Sequence, residues 1–176
     1  LLTAFEAAGI GPSDIEIIDK QYTTAPEVKI TIKDGWILRD YQLDVKAFIL
    51  NKDISPSKSR LASLPTGTGK TVIAICTAAE LNCAIGIPVP AGYSEKWKGD
   101  VLEQLNLSEE DVYMVNSRAK LIKAVKLADE GTKYKVYIFN QETLASFYKE
   151  YETAYFKGFE EHFGVHPEDI FEKLGI

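Results

Sequence analysis

The central segment Leu64-Pro65-Thr66-Gly67-Thr68-Gly69-Lys70-Thr71 joins two apolar runs. Its first residue ends a short run at residues 61–64, and its last two residues begin a longer run at residues 70–81. This context predicts a strand, a glycine-rich loop and a helix in that order. Glycine at two alternate positions lets the backbone fold with its N–H groups pointing inward, because no Cβ stands in the way. With the positive end of the following helix, those N–H groups would form an anion site.

Two side chains at the end of this segment suit a nucleoside triphosphate. Lys70 would place a mobile positive charge on the β- and γ-phosphates, and the Thr71 hydroxyl would ligate an Mg²⁺ ion that bridges phosphate oxygens. We therefore predict Lys70 and Thr71 as catalytic groups, Thr71 as the metal ligand, and residues 65–71 as the cofactor-binding loop. The generic phosphate-loop pattern has Gly where this chain has Leu64, so the segment departs from it at one position.

Apolar strands alternate with helices on both sides of this loop, which predicts an α/β fold with a parallel sheet covered by helices on both faces. The predicted strands are at residues 28–32, 61–64, 83–89, 112–115 and 134–139. The predicted helices begin at Asp40, Lys70, Ser94 and Ser117, and an aromatic helix runs from Phe147. Residues 1–26 are predicted to be a separate small α+β unit that ends in a linker, and residues 27–176 form the main domain.

The composition is that of a globular protein, with 45% hydrophobic and 26% charged residues, which excludes fibrous and disordered classes. A formal net charge of −6 excludes nucleic-acid binding by bulk positive charge, but not by a local positive groove. No stretch approaches the roughly 18 apolar residues of a membrane span. We expect a cytoplasmic protein with no membrane contact.

Leu-Pro-Thr-Gly-x-Gly-Lys-Thr is the standard form of this loop in superfamily 2 helicases and translocases, and the sequence resembles their first RecA-like domain. Upstream, Leu38-Arg39-Asp40-Tyr41-Gln42 resembles the adenine-recognition motif of that family. The Gln42 amide would donate to N7 of adenine and accept from N6, which selects ATP over GTP. The resemblance implies that Arg39, Tyr41 and Gln42 bind the nucleotide and that the cofactors are ATP and Mg²⁺.

Two later segments resemble family motifs that contact the nucleic-acid backbone. Ile87-Pro88-Val89-Pro90, followed by Trp97-Lys98, resembles motif Ia, and Trp97 itself is expected to anchor the core. The segment at residues 138–144 is similar to the Asn-Tyr-Glu-x-Leu segment of Swi/Snf-type and restriction-type relatives, with Gln141 in place of Tyr; a plain strand-to-helix turn remains the alternative. The resemblance implies nucleic-acid contacts from Pro90, Ala91, Gly92, Ser94, Asn140 and Thr143.

Taken together, the motifs resemble the amino-terminal portion of a superfamily 2 helicase, and residues 1–26 resemble the end of the accessory domain in some phage-encoded members. No Asp-Glu-x-His strand occurs, and the chain starts at Leu1 and ends in Leu174-Gly175-Ile176. We therefore expect a piece of a longer protein that stops before that acidic motif and hydrolyses ATP negligibly alone. The expected partners are nucleic acid, DNA in preference to RNA, and a second RecA-like domain.

Two other interpretations stay open from the sequence. The chain could be a different phosphate-loop enzyme, such as a small kinase or an AAA-type ATPase, which would not need Gln42 at this spacing. It could also be a catalytically inactive nucleotide-binding fold that acts as an interaction module. The intact Lys70-Thr71 pair argues against the second interpretation.

Overall fold

The computed structural model describes residues 27–51, 60–155 and 165–176, so the predicted accessory unit at residues 1–26 lies outside the described residues. Three strands and six α-helices occur in the described part: α1 Asp40–Leu50, α2 Lys70–Ala79, β1 Ile85–Val89, α3 Ser94–Gln104, β2 Val112–Val115, α4 Arg118–Asp129, β3 Val136–Asn140, α5 Gln141–Tyr155 and α6 Ile170–Leu174. Short 3₁₀ turns precede α3, β2 and α6 at Ala91–Tyr93, Glu109–Asp111 and Pro167–Asp169.

The three strands form one parallel sheet in the order β1-β3-β2. In its register, Ile85 of β1 and Val112 of β2 both lie opposite Val136 of the central strand β3. Residues 136–139 of β3 are all buried, as expected for a central strand with helices above and below it. The predicted parallel sheet is therefore confirmed for these strands.

Alternate side chains of β3 enter two separate apolar cores. Val136 and Ile138 lie in a core with residues of α2 and α3, whereas Tyr137 and Phe139 lie in a core with residues of α4, α5 and α6. Because successive side chains of a strand point to opposite faces, the helices cover both faces of the sheet, which confirms that prediction. Burial of each large apolar side chain contributes about 1.5–3 kcal/mol to folding.

Most helix boundaries agree with the sequence signals. Helix α1 begins at Asp40 and α2 at Lys70, as predicted. The Ser117 hydroxyl accepts a hydrogen bond from the backbone N–H of Lys120 at 3.3 Å, so it caps α4 in the expected way. Gly131 ends that helix with a φ of 90°. The aromatic helix predicted from Phe147 is found as part of α5, and its continuation at residues 156–164 lies outside the described residues.

Two predicted strands are not formed. Residues 61–64 form no strand and Leu61 is 88% exposed; they pair with no strand in the described part of the chain. Residues 28–32 keep the predicted alternation, with Ile30 buried between exposed neighbours, but make only an isolated antiparallel bridge from Ile32 to Leu105. Apolar alternation specifies which side chains are buried, whereas a strand also requires a partner backbone of matching length.

Among the helices of the described residues, none combines the length and apolar character that crossing a bilayer would require.

Candidate nucleotide and strand-end sites

The glycine loop, residues 65–69, turns the chain directly into α2. Gly67 and Gly69 have φ angles of 80° and 78°, in the left-handed region where a side chain costs roughly 1–2 kcal/mol. The carbonyl of Gly69 accepts the first hydrogen bond of the helix, from the N–H of Ile73 at 3.0 Å. The two glycines predicted to shape the loop therefore do so by adopting conformations that other residues disfavour.

Two side chains of the loop region bond to its own backbone. The Lys70 ammonium donates to the carbonyl oxygens of Leu64 and Pro65, both at 2.8 Å. The Thr68 hydroxyl donates to the carbonyl of Pro65 at 2.8 Å. Because Lys70 is exposed and holds only carbonyl oxygens here, a more strongly charged acceptor such as a phosphate would compete well for it.

The predicted adenine segment lies against this loop. The Gln42 side-chain NH₂ and the Tyr41 hydroxyl each donate to the carbonyl oxygen of Thr68 at 3.0 Å. The Gln42 carbonyl oxygen accepts from the backbone N–H of Arg39 at 2.9 Å, which closes a capping box at the start of α1. The structure thus brings together two of the sequence motifs, which are 26 residues apart at this contact.

The contact between α1 and the loop is tight at one point. A Cβ added to Gly69 would lie 2.6 Å from the Gln42 side-chain nitrogen, whereas a Cβ added to Gly67 would meet nothing within 4 Å. Glycine at position 69 is therefore required for two reasons, its backbone angle and the space that Gln42 occupies. At position 67 only the first reason applies.

The buried Gln42 amide keeps part of its hydrogen-bonding capacity. Its NH₂ has two hydrogens and its carbonyl has two lone pairs, and one of each is used by Thr68 and Arg39. The remaining hydrogen and lone pair match the N7 and N6 groups of adenine. The bonds to Thr68 and Arg39 fix the orientation of this amide before any ligand arrives.

The donor set of the loop suits a triphosphate. Within the described residues, no protein acceptor is found for the backbone N–H groups of residues 67–69, although buried or turn N–H groups are normally paired. They lie beside the N-terminus of α2 and next to the Lys70 ammonium, both of which favour anions. Thr71 is half-buried in the first turn of α2, and its hydroxyl is a hard oxygen ligand of the kind that Mg²⁺ prefers.

The second group of predicted residues lies at the carboxyl ends of β1 and β3. These strands are neighbours, and Val89 at the end of β1 lies opposite Asn140 at the end of β3. We call the two segments that follow them, residues 90–94 and 140–143, the strand-end edge. These two segments, which follow neighbouring strands, contain all six predicted nucleic-acid contacts: Pro90, Ala91, Gly92, Ser94, Asn140 and Thr143.

Two of these six residues carry buried polar atoms without a hydrogen bond. The Ser94 hydroxyl and the Asn140 side-chain carbonyl oxygen are buried, and neither finds a partner in the described part of the chain. Ser94 is only 6% exposed. Buried polar atoms are normally paired, and a buried water is a common partner of atoms in this position.

Three further residues of this edge were not predicted. The Gln141 NH₂ donates to the carbonyl of Pro88 at 3.3 Å, and a Glu142 carboxylate oxygen accepts from the backbone N–H of Ala91 at 3.2 Å. Tyr93 is 56% exposed within the 3₁₀ turn after β1. Gln141 and Glu142 are part of the family-like segment, but no sequence signal indicates that they bond to a segment about 50 residues earlier.

An apolar cavity of about 280 Å³ between α2, β1 and α3 is lined by none of the predicted site residues. Comparison with protein-family models gives no match for this chain, and comparison with curated proteins gives none either. The likeness to superfamily 2 therefore depends on the motifs and their arrangement.

Proposed function

We propose that this chain is the ATP-binding part of a cytoplasmic superfamily 2 helicase or translocase that acts on DNA, with a RecA-like fold in its main domain. The observation that supports the proposal best is the contact of Gln42 and Tyr41 with Thr68. A kinase-type or AAA-type phosphate loop has no need of a glutamine fixed at this point. In an adenine-reading ATPase, the same glutamine links base recognition to the phosphate loop.

In this proposal, the N–H groups of residues 67–69 and the Lys70 ammonium bind the phosphates of ATP. Lys70 leaves the carbonyl oxygens of Leu64 and Pro65 and stabilises negative charge on the transferring phosphoryl group. Thr71 would hold Mg²⁺, which supplies charge neutralisation between the phosphates. Gln42 and Arg39 read the adenine base.

The strand-end edge is the part of the chain that would contact the DNA backbone. Half or more of protein–DNA hydrogen bonds go to phosphate and sugar, and backbone N–H groups and hydroxyl groups are among their donors. The exposed backbone of Ala91 and Gly92 would allow close approach, and Ser94, whose hydroxyl is buried in the free chain, would donate to a phosphate once the turn that precedes it has moved. A second RecA-like domain would complete the ATP site, and its opening and closing would move the protein along one strand.

Replacing Lys70 tests this function directly. We expect Lys70→Ala to abolish ATP hydrolysis by the full-length protein and to weaken Mg-ATP binding by the 176-residue chain roughly 10-fold to 100-fold, since a charged hydrogen bond is lost. Binding is measured by calorimetry. The matched control is Lys96→Ala, which removes an exposed lysine of α3. Wild-type turnover in the Lys70 variant would falsify the assignment.

The chain by itself is expected to hydrolyse ATP negligibly. Catalysis in this class needs an acidic strand that positions the attacking water and an arginine finger, and the sequence has no Asp-Glu-x-His segment. Phosphate release is measured with and without single-stranded DNA. Robust DNA-stimulated hydrolysis by this chain would show that another carboxylate performs that role.

A further inference from the structure

The Glu142 carboxylate bonds to the backbone group that the proposed function assigns to DNA. Glu142 lies in the first turn of α5, and one of its oxygens accepts from the N–H of Ala91 at 3.2 Å. Ala91 follows β1 within an exposed turn. The bond therefore joins the two halves of the strand-end edge, which are 51 residues apart in sequence.

A carboxylate and a phosphate compete for such a group. The Ala91 N–H has one hydrogen, and both anions accept hydrogen bonds more strongly than neutral oxygens do. A carboxylate and a phosphate that both approach this N–H also repel each other, and the repulsion is stronger where water is excluded. A DNA phosphate can reach Ala91 only after the Glu142 carboxylate has moved away.

The structure offers a place to which that carboxylate can move. Glu142 also lines a groove of about 240 Å³ between α4 and α5, together with Arg118 and Thr143. Arg118 pairs there with Glu150 at 2.8 Å. Because Glu142 is exposed, its carboxylate can leave the Ala91 N–H for this groove or for solvent.

We propose that Glu142 takes the position of a DNA phosphate on the Ala91 amide and thereby limits the affinity of the strand-end edge for single-stranded nucleic acid. This inference rests on the proposed function, because it assigns Ala91 to phosphate binding. It adds that the free protein holds the site closed with its own anion. Neutralising Glu142 should therefore raise the affinity for single-stranded nucleic acid. Neutralising a carboxylate far from the strand-end edge should change that affinity little.

The test compares the wild-type chain with Glu142→Gln, which keeps an oxygen acceptor for Ala91 but removes the charge. Binding of a fluorescein-labelled oligothymidylate of about 15 nucleotides is measured by anisotropy. We expect Glu142→Gln to bind roughly 3-fold to 10-fold more tightly at about 0.1 M salt, and the gain to shrink at about 0.5 M salt as charges are screened. The gain for Glu142→Ala should be at least as large.

Glu152→Gln is the matched control, because it removes the same charge from an exposed position on the same helix. Ten residues of helix separate it from Glu142 by about 15 Å, beyond the Debye length of about 10 Å at 0.1 M salt. We expect its affinity to stay within about twofold of the wild-type value. ATP affinity, measured in the same preparations, should be equal in all four proteins.

The outcomes separate the two proposals. A gain in the Glu142 variants and not in Glu152→Gln supports the inference. If the wild-type chain binds the oligonucleotide and Glu142→Gln binds it equally well, the inference is overturned and the proposed function stands. If no variant binds the oligonucleotide while ATP still binds, the inference and the DNA-binding part of the proposed function are both overturned.

A second measurement needs no variant. In an amide NMR titration of the wild-type chain with the same oligonucleotide, the Ala91 resonance should shift, because its acceptor changes from carboxylate to phosphate. Shifts at Gly92 and Ser94 without a shift at Ala91 would also overturn the inference.

Discussion

The glycine loop and the strand-end edge are both expected to meet phosphate groups, yet their polar atoms are in different states. In the loop region, the side chains of Thr68, Lys70 and Gln42 are all hydrogen-bonded within the protein, and the groups left without an acceptor among the described residues are backbone N–H groups of residues 67–69. At the strand-end edge, the Ser94 hydroxyl and the Asn140 side-chain oxygen have no partner among the described residues, and a carboxylate covers one backbone N–H.

The two regions would therefore recognise a ligand in different ways. The loop is preorganised by its own side-chain contacts, so a phosphate would meet groups already held in position. At the edge, two buried side-chain atoms lack a partner among the described residues, so a ligand that reached them would remove a cost that the free protein bears. Three predictions separate these two modes, in order of decreasing effect, and a fourth concerns a carboxylate outside both regions.

The largest effect is expected when a side chain is placed at position 69. Gly69→Ala should lower the free energy of unfolding by about 2–3 kcal/mol, since it adds left-handed strain and displaces the Gln42 amide from Thr68. Gly67→Ala, at a nearly identical φ with no neighbour within 4 Å, should cost only about 1 kcal/mol. Urea denaturation measures both. Equal costs for the two variants would show that the Gln42 contact does not constrain the loop.

Gln42→Ala should be next, with a loss of about 1–2 kcal/mol in the free energy of unfolding, because the N–H of Arg39 and the carbonyl of Thr68 lose a buried partner. The variant should also lose its preference for ATP over GTP, with both affinities measured by calorimetry. Tyr41→Phe removes only an exposed hydroxyl from the same carbonyl and should cost under about 0.5 kcal/mol. An unchanged preference for ATP in Gln42→Ala would favour the kinase or AAA-type alternative.

At the strand-end edge, a substitution should raise the free energy of unfolding instead of lowering it. Ser94→Ala removes a buried hydroxyl that has no partner among the described residues, so the free energy of unfolding should rise by about 0.5–1 kcal/mol while affinity for single-stranded DNA falls. Thermal melting and anisotropy give the two values. Ser146→Ala, which removes an exposed hydroxyl bonded to Glu150, should raise neither. A destabilised Ser94→Ala would mean that the hydroxyl is satisfied after all.

Asp111 lies just before β2, outside both regions, and its carboxylate is held by Ser108 and Lys135. Burial raises its pKa, but hydrogen bonds from the Ser108 backbone, the Lys135 ammonium and the Ser108 hydroxyl outweigh burial and lower the pKa below its ordinary value. The ionised form is therefore favoured in the folded state.

With a lowered pKa, the stabilisation from Asp111 is complete above the unfolded value of about 3.9 and is lost as the pH falls through the folded value. Asp111→Asn should cost about 0.5 kcal/mol at neutral pH, a small effect because Lys135 is partly exposed. The variant should also lose less stability than the wild type between about pH 5 and pH 2. Melting temperatures across that range measure the slope, and parallel curves for the two proteins would contradict the assignment.

The sequence predicts features that depend on neighbouring residues and fails where distant segments must meet. Ser117 correctly predicts the start of α4, and the apolar run at residues 112–115 predicts both ends of β2. Both signals are local, because they depend only on residues within or next to the element. The predicted strand at residues 61–64 was wrong, because the composition of a segment does not show whether a partner strand lies beside it. The same limit explains why the Glu142 contact was missed, whereas the Gly-x-Gly-Lys-Thr loop was found.

The space above Gly69 has a consequence for how related sequences would vary. The Gln42 side-chain nitrogen lies 2.6 Å from where a Cβ would lie, so in a relative with a side chain at position 69 the glutamine must shift away from the Thr68 carbonyl or be replaced by a shorter residue. The two positions should therefore change together, and a glutamine at 42 should be inherited with a glycine at 69.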